Sequence, residues 1–472
     1  MNTPPFASLV EIVGSAYVSH SQADLVKASS DRLPYGVFLA RSDTFPGVLP
    51  ALVVSPGHAE ELAAVVRCLS SAKVPIVARG EGSGVLGGAV PLQENSVILD
   101  TCRINQIVEI NEIDRLVTVQ AGMNGMAFEA ALNAKGWTTG HLPQSIEIST
   151  VGGWAACRGA GQASTRYGKI EDMVVGLKAI LPDGSQVEVR ALPRRSTGPS
   201  IRDLIVGNEG TLAIITELTL RIWQLPEVEK GVVLAFPSVD AALTAMRRIL
   251  QAELRPAVVR VYDETESRLR CDGLAGTDGH PILSILEFHG TTDLATSEET
   301  AAMRIVAQEG GRQIDNAPWQ QWRAHRYTSL SKDWQSRNFY MDTIEVTGRW
   351  STLPQMYDRM KAATLAIHPE CYFAAHWSHA YVEGACQYMT VRLPPMPEAE
   401  GLRLHAKLWE AIQTLTLDLD GSIAHHHGVG FFRNAWMKRE VGAAGMHLMQ
   451  AVKDAIDPEN LFNPGKLGFR RK

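Results

Sequence analysis

Three consecutive histidines, His425, His426 and His427, stand directly before Gly428-Val429-Gly430. Imidazole titrates near neutral pH and is suited to general acid–base work. Three adjacent side chains cannot all face one way in any regular structure. On a strand, alternate side chains diverge, so contiguous histidines make a poor chelator. Proton transfer, metal binding and incidental packing are the three readings, and the expectation is no metal. His376 and His379 in AHWSHAY would be the pair to join a metal site. Tyr388 and Arg260 are candidates for proton relay and anion holding by context, and each also reads as an ordinary surface or core residue.

The second chemical feature is Gly82-Ser83-Gly84-Val85-Leu86-Gly87, a literal GxGxxG. A dinucleotide fold needs that motif between a strand and a helix. Here Gly88, Val90 and Pro91 follow, then a strand signal, so the helix is missing. Residues 80–88 hold five glycines, heavy for an ordinary turn. The better reading is an anion loop whose backbone N–H groups converge on a phosphate. A second dense stretch, GHLPQSIEISTVGGWAACRGAGQASTRYG (140–168), is rich in small and hydroxylated residues. It reads as a long loop without regular structure, close to a flat ligand. Its apolar Ile146, Ile148, Val151 and Trp154 argue against a floppy linker. GNEGTLAIITELTL (207–220) runs a glycine turn into a buried-looking strand and is weak alone.

The elements that must carry these loops are partly legible. Leu62, Val65, Val66 and Leu69 recur at three- and four-residue spacing, which predicts a helix over 58–72. Strands are expected at 74–78, 96–100, 107–111, 116–120, 173–181, 185–189 and 212–222. A helix is expected over 124–135, closed by Gly136 in a left-handed cap. Beyond Pro226, strands at 231–236, 257–262 and 282–289 alternate with helices at 240–253 and 296–308. A last helix is expected at 445–455. The first 45 residues read as mixed and helical. The texture is α+β and not a regular βαβ array.

The chain has 472 residues; at roughly 150 per domain that gives about three units. Four segments are expected: 1–44 helical, 45–225 cofactor-binding, 226–419 substrate-binding, and 420–472 completing the site. The 45% hydrophobic and 20% charged composition excludes disordered and fibrous classes. A net charge of −6 gives no footprint for nucleic acid. No run of 18 apolar residues predicts a membrane span. The start lacks a secretory pattern and the ending LGFRRK a peroxisomal address. The six cysteines (68, 102, 157, 271, 371 and 386) show no paired spacing and read as reduced thiols in a cytoplasmic protein.

Taken together, GHLPQSIEISTVGGW, RRSTGP with GNEGTL, and IAHHHGVG with DPENLFNPG resemble the FAD-linked, PCMH-type flavoprotein family. That family includes vanillyl-alcohol oxidase, D-lactate and glycolate dehydrogenases, and alkyldihydroxyacetone-phosphate synthase. The strongest likeness is to the last. It covers 45–225 and 420–465 well and 230–380 loosely. The resemblance implies a two-subdomain FAD-binding fold, an antiparallel-sheet α+β cap domain, and a C-terminal segment returning to the flavin. It implies FAD, expected to be non-covalent because the first loop holds no histidine or cysteine.

The resemblance maps the pyrophosphate loop onto Ala78, Arg79, Gly80, Glu81, Gly82, Ser83 and Gly84. A second flavin stretch implies Pro143, Gln144, Ser145, Ser149, Thr150, Gly152 and Gly153. A third implies Ala156 and Arg158, and a fourth Glu209, Gly210, Ile214 and Ile215. Tyr388 and His426 match the synthase's proton-transfer pair, flanked by His425 and His427, and Arg260 matches an arginine of its second domain. Gln144 replaces an aspartate and Glu81 a glycine. Ser331-Lys332 stands where the synthase has an Arg-Asp pair.

The expected function is FAD-dependent oxidation of a small alcohol or 2-hydroxy acid, with hydride passing to flavin. The alternatives are an ether-lipid-type transferase with no net redox change and a flavin-binding module with a dead site. The expected partner is a small-molecule substrate, with no nucleic acid. The electron acceptor (oxygen, quinone or cytochrome) is not named by the sequence, and a homodimer is left open.

Overall fold

The structure, a computed structural model, describes residues 3–271, 277–329 and 331–470, with Cys271 described in its backbone only. The helix expected over 58–72 forms at Ala59–Ser71 and buries Leu62, Ala63, Val65, Val66 and Leu69. That is the stripe its spacing predicts. It crosses over between strands Leu52–Val54 and Ile76–Arg79, both parallel to Val97–Asp100 between them. Val18–Ser19 adds an antiparallel edge to Leu52–Val54. The N-terminal segment therefore supplies a strand as well as its helices Phe6–Val13, Gln22–Ala28 and Pro34–Leu39. No helix follows the glycine loop: the chain runs from Ile76–Arg79 directly to Val97–Asp100. A dinucleotide fold is excluded by that, since its pyrophosphate sits on a helix N-terminus.

A second sheet is antiparallel, in the order Ile107–Asn111, Leu116–Gln120, Ile214–Arg221, Val174–Ile180, Gln186–Val189. The stretch read as an irregular loop holds a helix, Val151–Ala156, capped by the Thr150 hydroxyl accepting the Gly153 N–H. A Cβ on Gly152 would lie 2.6 Å from the Ala121 Cβ. Glycine there lets the short helix lie flush on the end of the second sheet, a packing that local sequence does not announce.

The third sheet has seven antiparallel strands, ordered Arg312–Gln313, Val228–Phe236, Ile282–Gly290, Val258–Tyr262, Tyr372–Ala380, Gly384–Leu393, Tyr340–Arg349. Helices Val239–Gln251, Thr292–Gln308, Leu353–Ile367 and Glu398–Asp418 share one apolar core with it. Val259, Val261, Trp377, Met389, Ile344 and Val346 point into that core. Alternate residues must then face the other way. Arg260, Tyr262, His376, Cys386, Tyr388 and Glu345 thus lie on the opposite face. Val258, Tyr262 and Ile285 of that face pack with Ala163, Tyr167 and Met173 of the preceding half.

The helix expected at 445–455 is the end of a longer one, Asn434–Ile456, kinked at Gly442 (φ 74°). Beyond it the chain returns to the first sheet. The Ile76 N–H donates to the Leu461 carbonyl at 2.8 Å, and the Asn463 N–H to the Ile76 carbonyl at 2.8 Å. Phe462 is buried in that sheet's core.

Candidate active site

The glycine loop is pinned from several directions. A Cβ on Gly80 would stand 2.3 Å from the Thr150 Oγ1, and Gly82 has φ +68°. The Arg79 guanidinium packs against the loop, where a Cβ on Gly82 would stand 2.2 Å from its Nη2, and it donates to the Ser30 carbonyl at 2.7 Å. Glu81 accepts the Asn124 amide at 2.9 and 3.0 Å. Lys466 is fully buried and donates to the carbonyls of Gly87 and Val90, both at 2.6 Å. Asn463 donates to the carbonyls of Gly88 (2.8 Å) and Glu209 (2.7 Å). The ending read only as DPENLFNPG is therefore the clamp of the loop. Among the described residues, the N–H groups of Glu81, Gly82, Ser83 and Gly84 donate to no protein acceptor. Such a run of free donors is a cradle for a diphosphate.

The other implied residues divide into two groups. Ser149 accepts the Trp154 indole N–H at 2.8 Å, Thr150 caps its helix, and the Ala156 carbonyl accepts the Glu209 N–H at 2.9 Å. The Pro143 carbonyl accepts the Ile146 N–H, and Ser145 precedes the turn Ile146–Ile148. A Cβ on Gly210 would touch the Ala78 Cβ at 3.4 Å, bringing the first and fourth stretches together. Ile214 and Ile215 are buried on a central strand. Two side chains face elsewhere. Gln144 donates to the Thr328 carbonyl at 2.9 Å, and Arg158 donates to the carbonyls of Val206 and Asp203.

The histidine loop meets the polar face of the large sheet. Glu345, Tyr388, His376 and Tyr262 are paired across four adjacent strands, in that order. The His376 and Tyr388 rings stack at 4.8 Å, and Tyr388 lies 6.1 Å from His426 and 5.5 Å from His427. Glu345 is completely buried. Its carboxylate accepts the main-chain N–H groups of His425 and His427 and pairs with buried Arg433 at 2.8 Å. Burial opposes its ionisation, yet Arg433, His427 and these donors hold its carboxyl below the usual range. This residue, which the sequence did not flag, fixes the direction of the three imidazoles.

Burial, then neighbouring positive charge, pushes His425, His426 and His379 well below the ordinary imidazole value, and His427 down as well. Burial pushes the Tyr388 phenol up. The Arg260 Nε donates to the Tyr262 hydroxyl at 2.8 Å, and its guanidinium lies 5.7 Å from the Trp322 ring. His376 is held by Glu266 at 3.1 Å. The ligating atoms of Cys386, His425 and His426 lie within 4.8 Å of one another. However, the Nδ1 atoms of the two histidines already meet at 2.9 Å as a hydrogen-bonded pair.

Residues 50–190 match the family model described as "FAD binding domain", and residues 225–467 match "FAD linked oxidases, C-terminal domain". The uncharacterized FAD-linked oxidoreductase YgcU of Escherichia coli (strain K12) is 33% identical, over 97% of both chains. The chain belongs to the FAD-linked oxidase family. The alkyldihydroxyacetonephosphate synthase of Dictyostelium discoideum is 28% identical over 89% of this chain and 73% of its own. A solved alkyldihydroxyacetonephosphate synthase shares the fold, with a TM-score of 0.81 over 98% of this chain and 86% of the other at 24% identity. The protein is thus an enzyme whose cofactor is FAD, and the donor-rich glycine loop fits its diphosphate. No helix among the described residues of this FAD-linked oxidase is long and apolar enough to cross a membrane.

Proposed function

We propose that this FAD-linked oxidase oxidises a small alcohol or 2-hydroxy acid, with His426 taking the hydroxyl proton. The observation that carries the reading is the neutral imidazole cluster set beside Tyr388 on the sheet's polar face. When bound, FAD supplies the hydride acceptor. The chain's own residues supply the proton chemistry. Burial keeps His426 neutral at pH 7, which is the form a base needs. Burial keeps Tyr388 protonated, so its hydroxyl donates a hydrogen bond to the substrate oxygen. The Arg260 guanidinium suits a carboxylate, because its planar fork donates in pairs. The cradle at 80–84 and the stretches at 143–153, 156–158 and 209–215 hold the flavin without a covalent bond. Among the described residues, Cys68, Cys102, Cys157, Cys371 and Cys386 are free thiols, in keeping with a reducing compartment such as the cytoplasm.

The experiment is an anaerobic visible spectrum of the FAD-loaded protein before and after D-lactate, glycolate and a panel of aromatic alcohols. Bleaching by one compound supports the oxidation and gives its class. A flavin that none of them bleaches counts against it.

The second reading is a transferase of the alkyldihydroxyacetonephosphate synthase type. It is favoured by that relative's match over 89% of the chain and by the retained Tyr388, His426 and Arg260. Ser331 at the expected place of a substrate-binding arginine weakens it. Mass spectrometry for exchange of an acyl group by a fatty alcohol separates the two.

A further inference from the structure

One strand residue on this face breaks the regular pattern. The pairing of Tyr372–Ala380 with Gly384–Leu393 slips between Ser378 and Ala380, leaving His379 as the extra residue of a bulge. His379 has φ +50°, a left-handed conformation uncommon for a residue with a side chain. Bulges re-aim side chains beside active sites. Here the bulge turns a buried imidazole toward the histidine loop, 4.8 Å from the His426 ring and 5.1 Å from the His425 ring.

The polar atoms in this pocket form one unbroken chain. His426 Nδ1 meets His425 Nδ1 at 2.9 Å. His425 Nε2 meets the Tyr381 hydroxyl at 3.0 Å. Tyr381 donates to Ser164 Oγ at 3.4 Å, and Ser164 Oγ meets His379 Nδ1 at 2.8 Å. Ser164 is 1% exposed and His379 7% exposed, so water does not replace these partners. We infer that His379 is the far end of a proton relay that begins at His426 and passes through His425, Tyr381 and Ser164.

The chain has a consistent starting direction. His426 Nδ1–H donates to His425 Nδ1, His425 Nε2–H to Tyr381, Tyr381 O–H to Ser164, and Ser164 O–H to His379 Nδ1. A proton arriving at His426 Nε2 pushes each of these hydrogens one place along. One proton enters, one appears on His379 Nδ1, and every hydrogen bond in the chain reverses. No electron moves. His426 is neutral again, and the positive charge sits on His379. Burial depresses both end imidazoles in the same direction. The groups facing the chain are Lys169, whose ammonium meets the His425 carbonyl at 2.6 Å, Arg260, His376, His427 and Cys386, with the carboxylates of Glu171 and Asp172 near Tyr381.

The inference rests on His426 as the base, so its test has one arm independent of turnover. In the FAD-loaded protein with isotopically labelled histidine nitrogen, NMR reads which ring nitrogen carries hydrogen. Ser164→Ala is expected to shift the tautomers of His425 and His426 as well as His379, and Ser164→Thr to restore all three. A change confined to His379 overturns the relay and leaves Ser164 a local support. The second arm is flavin bleaching by D-lactate in water–heavy water mixtures. The wild type is expected to show a curved dependence on deuterium fraction, and Ser164→Ala a linear one with a rate about tenfold lower, a smaller loss than the roughly 10²–10⁴-fold of a full general base. A linear wild type overturns the relay. A flavin that D-lactate and the wider panel never bleach counts against the oxidation alone, and the NMR arm still decides the relay.

Discussion

The Glu209 carboxylate accepts the main-chain N–H of Val429 at 2.6 Å and of Gly430 at 2.8 Å. A residue of the flavin-binding half thus holds the histidine loop by its backbone, as Glu345 does from the large sheet. The loop can present two successive donors because Gly428 and Gly430 adopt φ +78° and +55°. Both halves of the enzyme therefore grip one six-residue segment, and the imidazoles point where these two carboxylates send them.

Glu209→Gln replaces one of two acceptor oxygens with a donor and sets N–H against N–H. A buried donor left unpaired costs about 1–3 kcal/mol. We expect a lower thermal midpoint and a slower flavin reduction, both read on the FAD-saturated protein. Differential scanning calorimetry with stopped-flow bleaching checks this; a variant equal to wild type in both removes Glu209 from the positioning role.

Lys466→Met leaves the carbonyls of Gly87 and Val90 without their buried donor. The glycine loop should loosen, and FAD affinity should fall about tenfold, which is about 1.4 kcal/mol. Fluorescence titration of apoprotein with FAD measures it. Full affinity would show that the loop is held by Asn463 and the sheet alone.

His141 is completely buried against Trp154, and neither ring nitrogen has a hydrogen-bond partner among the described residues. Burial pushes it down from 6.5 to about 3. Between those values the unfolded chain holds a proton that the folded one lacks. Its contribution is therefore present above pH 6.5 and lost as pH falls toward 3. His141→Leu should flatten the acid loss of stability by up to about 1.4 kcal/mol per pH unit in that window. Denaturant unfolding at stepped pH checks the slope; parallel curves for the two proteins would refute it.

His426→Ala should lower the rate of flavin reduction by about 10²–10⁴-fold, the range of general-base help. Tyr388→Phe should lower it less, since a lost hydrogen bond to a neutral donor is worth about 0.5–1.5 kcal/mol. Stopped-flow bleaching ranks the two; a Tyr388 variant slower than the His426 variant would reverse their roles.

Several elements were legible because their signals are local. Ala59–Ser71 carries an apolar stripe, and Leu116–Gln120 alternates, and both form within a residue or two of the expected bounds. The long strands Tyr340–Arg349, Tyr372–Ala380 and Gly384–Leu393 were not. Each interrupts its apolar pattern with polar residues that turn out to be buried and paired. Asp342, for example, accepts from His405 at 2.7 Å and Trp409 at 2.9 Å. A buried charge reads as solvent-facing until its partner, 63 or 67 positions away, is in place.

The sequence by itself determined the flavin loops, the absence of a dinucleotide-type helix after Gly87, the histidine triplet, and the change of texture near Pro226. Those depend on glycine spacing, side-chain chemistry and short-range periodicity. Only the tertiary structure decided that Glu345 and Glu209 aim the histidines, that Lys466 clamps the glycine loop, and that a bulge brings His379 beside His426. These are contacts between residues 47 to 379 positions apart. No local pattern encodes them; they exist because sheet registers and the returning C-terminal segment bring distant side chains into one buried space.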